Sequence, residues 1–298
     1  MPRSAPVDGF TLAYDRSGTG EPVILLHGWP GDRTDYRVLG PALALASSCD
    51  VIVPDLRGFG ESDKHRADPA EQYSPAAQAR SVAGLVRELG LDRVLVAGYD
   101  VGSRVAQAMA ADYPDLLRAL VISPPLPGIG ARVLEPGPQR EFWYQSFHQL
   151  ALAEALIDGQ PDQVRAYLTH FWEHWSGPGF QLDPSYLDHL VSVYGPPGAF
   201  TASIAWYRAG SGAVARSLAE QPPGPADRIA LPVTVLWPEF DPLFPRDWSD
   251  RVGEFYRDIS VRPVDGVGHF TPLECPTEFA DAIHDALVST RARPRANL

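Results

Sequence analysis

Val94-Leu95-Val96-Ala97-Gly98-Tyr99-Asp100-Val101-Gly102 is an apolar run that stops at a glycine-flanked acidic residue before the chain turns helical. It reads as strand, sharp turn, helix. The spacing Gly98-x-Asp100-x-Gly102 matches the Gly-x-Ser-x-Gly nucleophile elbow, whose glycines let strand and helix pack closely around a residue held in a strained turn. Here that residue is an aspartate. A carboxylate in this place can attack an electrophilic sp3 carbon and form an ester. The competing reading makes Asp100 only an N-cap for a helix beginning near Val101.

The segments on either side favour the first reading. Pro22 to Leu26 is continuously apolar, as a strand covered on both faces must be, and runs into His27-Gly28-Trp29-Pro30-Gly31. Val51-Ile52-Val53 leads likewise into Asp55-Leu56-Arg57-Gly58-Phe59-Gly60-Glu61-Ser62. Strand followed by glycine-rich loop, repeated, is how a parallel sheet delivers its loops to one edge, where ligands bind. Phe10 to Tyr14 alternates as an edge strand ending at the turn Ser17 to Gly20. Ser74 caps a helix with Pro75 at its first position, and Val82, Leu85, Val86 and Leu89 repeat at helical spacing until Gly90. The elbow helix runs to about Tyr113, and Ala119 to Ser123 is the next strand. The order predicts an α/β protein with a mostly parallel sheet and helices on both faces.

After Ser123 a stretch rich in proline and glycine interrupts the pattern, and the text beyond is helical and aromatic: Glu141 to Leu150, Pro161 to Trp175, Pro184 to Tyr194 and Ala199 to Ala209. Residues 126–228 are therefore expected to form a helical cap inserted into a core of 1–125 and 229–298. Strands resume at Val233 to Trp237 and Ile259 to Arg262. The first is followed by Glu239-Phe240-Asp241-Pro242 and the second by Gly266-Val267-Gly268-His269-Phe270. Asp100, then Asp241, then His269 is the chain order of an α/β-hydrolase triad, each member at the end of a strand.

With 298 residues and an apolar share of 45%, the chain suits one α/β domain with an insertion. A formal charge of -12 argues against nucleic acid or an anionic membrane as partner. Cys49 and Cys275 lie far apart, so reduced thiols in a reducing compartment are expected. Met1 to Pro6 opens onto polar residues, and no apolar run reaches 18, so neither signal peptide nor transmembrane helix is expected and a cytoplasmic location is. Oligomeric state stays open, a homodimer being one option.

Across Phe10 to Leu287 the chain resembles the α/β-hydrolase-fold epoxide hydrolases, through the His27-Gly28-Trp29-Pro30, Asp55 to Ser62, Gly98 to Gly102, Glu239 to Pro242 and Gly268-His269-Phe270 motifs. The resemblance implies a cofactor-independent enzyme with Asp100 as nucleophile and His269 as base, supported by Asp241. It further implies an oxyanion hole from the backbone N–H groups of Trp29 and Val101, and a cis Trp29-Pro30 peptide. Phe142-Trp143-Tyr144-Gln145 and Trp206-Tyr207-Arg208 are similar to the segments that supply the paired tyrosines of that family, which carries Tyr144 and Tyr207 over as proton donors to the opening epoxide. The alternative for both is packing within the cap. The implied substrate is a small hydrophobic epoxide, the aromatic cap hinting at aryl groups.

The runner-up is a haloalkane or haloacid dehalogenase with the same triad. Haloalkane dehalogenases place a tryptophan after the nucleophile to bind halide, where this chain has Val101, whose side chain has no donor. A catalytically idle binding protein would be expected to have lost a triad member. His170-x-x-Glu173-His174 matches a zinc-hydrolase pattern, but no third ligand follows at sensible spacing, and no metal is expected. Tyr99 is read as packing or support, and Asp32 and Asp35 as solvated faces or caps.

Overall fold

In a computed structural model, which describes residues 1–46 and 49–291, seven strands form one sheet in the order β1-β3-β2-β4-β5-β6-β7. These are β1 (Tyr14–Gly18), β2 (Glu21–Leu26), β3 (Cys49–Pro54), β4 (Val94–Gly98), β5 (Leu117–Ile122), β6 (Ile229–Pro238) and β7 (Tyr256–Val264). Only β1 runs antiparallel. Helices α1 (Leu39–Ala46), α2 (Pro69–Gln72), α3 (Pro75–Glu88) and α4 (Asp100–Asp112) precede β5. Between β5 and β6 come α5 (Pro136–Glu141), α6 (Trp143–His148), α7 (Ala151–Ile157), α8 (Pro161–Trp175), α9 (Pro184–Tyr194), α10 (Ala199–Arg208) and α11 (Ala213–Ala219). After β7, α12 (Thr271–Glu274) and α13 (Pro276–Thr290) close the chain. No described helix is long and apolar enough to cross a membrane.

The central strands are apolar because both faces are covered: Val23 to Leu26, Val94 to Ala97 and Ala119 to Ile122 are all fully buried. The strand-to-helix junction at Asp100 is tight. A side chain at Gly102 would put its Cβ 2.0 Å from the carbonyl oxygen of Leu26, and one at Gly98 would lie 2.8 Å from Gly102. The glycines therefore let α4 start directly against the end of β2. Asp100 itself adopts φ 48°, a left-handed conformation unusual for aspartate.

Two local expectations need correction. The first strand is Tyr14–Gly18, not Phe10 to Tyr14, so Ser17 and Gly18 pair with Val51 and Asp50 where a turn was expected. Phe10 and Ala13 make only isolated bridges, because the N–H groups of Thr11, Leu12 and Ala13 are taken by Asp63, Ser4 and Ser62 side chains and not by a ladder. The expected helix from Glu141 to Leu150 is broken at Phe142 between α5 and α6 and stops at His148, Leu150 being extended (φ -87°, ψ 143°) ahead of α7. Helix α11 carried no distinct signal.

Gly102→Ala is expected to destabilise the fold by roughly 1–3 kcal/mol, since backbone and not a flexible side chain must yield. Urea denaturation checks this. A midpoint equal to the parent's would show that the junction has slack.

Candidate active site

The ends of β2, β4, β6 and β7 bring four parts of the chain together. The Asp100 carboxylate accepts the Trp29 backbone N–H at 2.8 Å through Oδ1, and its Oδ2 lies 3.4 Å from His269 Nε2. On the other side of the ring, His269 Nδ1 bonds Asp241 Oδ2 at 2.9 Å. Asp241 is fixed in turn by the Leu243 N–H at 2.9 Å. Val101 stands in the first turn of α4, where backbone N–H groups have no partner inside the helix. Trp29-Pro30 is cis, as the resemblance implied, and so is Pro124-Pro125. Asp100 is not the cap of α4. It is the helix's first residue, and Tyr99 occupies the cap position without a capping side-chain bond.

His269 is fully enclosed, which opposes its charged form, yet the charges of Asp241 and Asp100 outweigh burial and raise its pKa from 6.5 to about 10. At neutral pH the resting site therefore holds an imidazolium between two carboxylates.

Tyr144 on α6 and Tyr207 on α10 line the same cavity as Asp100. Both are buried, with ring centroids 5.5 Å apart and nearly perpendicular, and Tyr144 stacks on Trp29 at 5.7 Å. Burial first, then the Asp100 charge for Tyr144 and the Tyr144 and Asp100 groups for Tyr207, push both phenols well above their ordinary value. They are kept as neutral O–H donors. The cavity measures about 10 Å³, room for about one water centre.

Several contributors escaped sequence reasoning. Gln145 accepts the Val214 N–H at 3.1 Å through Oε1, which leaves its amide nitrogen to donate to the Tyr144 oxygen at 3.1 Å. Because a backbone N–H can only donate, the amide orientation is fixed. The Tyr144 proton must then point elsewhere. Glu274 accepts the N–H groups of Gly268 and Phe270, on either side of His269, and that of Gly177. Asp32 and Asp35 are not solvated: both are completely buried. Asp32 does cap the turn Arg33–Tyr36, and also pairs with His189 of α9 at 2.7 Å. Asp35 accepts the Tyr99 hydroxyl at 2.6 Å and that of Tyr186 of α9, which is how Tyr99 supports the elbow. Burial lifts the Asp35 carboxyl to about 6 against the pull of His27 and both phenols. No pattern of spacing announces such pairs, since their partners lie up to 157 positions away.

His170 and His174 stack on α8 with centroids 5.6 Å apart, and His174 bonds Glu141 at 2.7 Å. Among the described residues no group of three or more ligating side chains could hold a metal ion.

A family model described as alpha/beta hydrolase fold matches residues 21–276. The chain is an α/β-hydrolase. A soluble epoxide hydrolase from a Corynebacterium species is 31% identical to it over 93% of both chains. A fluoroacetate dehalogenase from a Burkholderia species is 30% identical over 70% of this chain and 68% of its own. The solved structure of the epoxide hydrolase CorEH matches it with a TM-score of 0.83 at 29% identity, covering 97% of this chain and 99% of that one. This α/β-hydrolase is thus a hydrolytic enzyme with epoxide hydrolases among its relatives.

The His269 imidazolium has a stability consequence. Its folded pKa exceeds the unfolded 6.5, so its contribution is complete below pH 6.5 and is lost as pH rises through about 10. Ring NMR titration should find His269 protonated throughout neutrality in the resting enzyme. Asp241→Asn should lower that pKa by roughly a unit or more. A parent value near 6.5 would contradict the ion arrangement.

Proposed function

We propose that this hydrolase opens epoxides to vicinal diols through an ester on Asp100. What carries the reading is that a buried carboxylate at the elbow shares one small cavity with two neutral phenols, Tyr144 and Tyr207. An sp3 carbon–oxygen bond breaks only if the developing alkoxide is stabilised, and phenol donors facing a carboxylate supply that. The similarity to epoxide hydrolases over nearly the whole chain supports the same reading.

In the first step Asp100 Oδ2 attacks an epoxide carbon. The C–O bond breaks, its electron pair goes to the ring oxygen, and a proton from Tyr144 or Tyr207 completes the alcohol. The His269 imidazolium then returns that proton to the phenolate, and in the second step the neutral ring takes a proton from water and the hydroxide adds to the Asp100 carboxyl carbon. Oδ1, already on the Trp29 N–H, becomes the oxyanion, shared with the Val101 N–H. Collapse releases diol, the proton of the new carboxyl passing to the departing alkoxide, and leaves the Asp100 carboxylate beside the His269 imidazolium. Residues 126–228 act as the cap that supplies the phenols and excludes water. A haloalkane dehalogenase would place a side-chain donor for the departing halide directly after the nucleophile, and the Val101 side chain offers none.

Single turnover in 18O-water with excess enzyme should give unlabelled diol and labelled Asp100. Label entering the diol directly would mean that water itself opens the ring. His269→Gln should stall as an intact-mass adduct of protein plus substrate, and absence of adduct in a folded variant would count against the division into two steps.

Tyr144→Phe and Tyr207→Phe should each slow epoxide opening by roughly 10- to 1000-fold, about 1.4 to 4 kcal/mol in the transition state. Fast halide release from haloalkanes or fluoroacetate that survives both changes would assign the enzyme to dehalogenation instead.

A further inference from the structure

Two buried donors on the wall of the Asp100 cavity have no work inside the protein. Arg104 lies one helical turn beyond Asp100 on α4, hence on the same face. It is 6% exposed, and its Nη1 bonds Glu220 at 2.7 Å while Nη2 reaches the Leu126 carbonyl at 3.4 Å. Its Nε–H has no partner. Ser211, 2% exposed, precedes α11, and its hydroxyl is likewise unpartnered. Both residues border the cavity shared by Asp100, Tyr144 and Tyr207. Buried polar groups are almost always satisfied, and one left bare costs as much as a lost hydrogen bond. Two in one small space beside a nucleophile have the character of recognition groups.

We propose that Arg104 and Ser211 form a subsite for a neutral oxygen of the substrate, so that the preferred epoxide carries a hydroxyl, ether or carbonyl oxygen on the carbon next to the ring. This rests on the epoxide reading above. The confined cavity keeps the oxygen close to the reacting carbon and disfavours the aryl groups that an aromatic cap suggests. Neutrality follows from charge. The Arg104 guanidinium is already matched by the Glu220 carboxylate, and a substrate anion would face Asp100 across the same space. A hydrocarbon arm would leave both donors bare, the situation in which polar sites discriminate most strongly.

The test is the ratio of kcat/KM for glycidyl methyl ether to that for 1,2-epoxypentane, which differ only by O for CH2. The parent should favour the ether by about 10-fold or more, one hydrogen bond's worth of discrimination. Ser211→Ala should cut that ratio several-fold. Arg104→Lys, which keeps the charge opposite Glu220 but lacks Nε–H, should do the same, with circular dichroism confirming both folds. Three results overturn the subsite while leaving the epoxide reading intact: no ether preference in the parent, a preference unchanged in both variants, or a carboxylated epoxide such as glycidate outcompeting the ether. Failure of the parent to open any epoxide of the panel removes the subsite together with that reading, and is recognised because no ratio can be measured.

Discussion

The site depends on one close approach, that of the first turn of α4 to the end of β2. With Gly102 packed against the Leu26 carbonyl, the chain leaving β2 must turn at His27-Gly28-Trp29 directly over Asp100. Gly28 has to be bare for the same reason, since a Cβ there would lie 2.7 Å from that of Asp100. The Trp29 N–H consequently reaches the Asp100 carboxylate, and the left-handed backbone at Asp100 aims its side chain out of the sheet edge. Backbone strain at that residue is sustained by rigid surroundings: fully buried strands on either side and the Asp100 N–H bonded to the Pro124 carbonyl at 3.0 Å.

The loop that carries Trp29 is also where the helical insert is fastened. Trp172 of α8 donates to the Pro30 carbonyl, Tyr194 of α9 to that of Gly31, Tyr186 to Asp35 and His189 to Asp32. Trp172 also stacks on Phe270, next to His269, at 3.7 Å, and the His269 N–H is bonded to the Trp175 carbonyl. Helices α8 and α9 thus grip both the loop facing the nucleophile and the loop bearing the histidine, while α6 and α10 bring the phenols. Core and insert determine one geometry jointly, because hydrogen bonds in a water-free setting tolerate little displacement.

How much of this could be read from the chain follows the range of the interactions. The elbow motif, the placement of Asp241 and His269 after the last two strands, and helices such as Pro161–Trp175 were legible because each rests on local spacing, capping or strand-end position. The first strand was misplaced because alternation at Phe10, Leu12 and Tyr14 reports burial alone, whereas a strand needs a ladder, and Asp63, Ser4 and Ser62 had claimed the donors. Isolated carboxylates such as Asp32 and Asp35 read as solvated faces or caps, and only the capping half of that reading holds, for Asp32. Their partners Tyr186 and His189 sit in the distant helix α9, so only the fold shows why they are buried. Gln145 stood next to a recognised tyrosine, yet its role lies in the direction of its amide, which no sequence pattern encodes.

Electrostatics ties the two proposed half-reactions together. In the resting site one imidazolium offsets two carboxylates, and that balance is what lifts His269 to about 10 despite complete burial. A histidine so protonated is no base. Once Asp100 becomes a neutral ester, one of the two opposing charges disappears, while burial, which favours the neutral ring, remains. The ring then gives up its proton more readily, at the stage when water must be activated, and the proton it releases can replace the one spent by the phenol. The Asp241 contact to Nδ1 keeps Nε2 directed at the ester. In the proposed sequence Asp100 would thus control its own base, its charge suppressing His269 until the first step has consumed it.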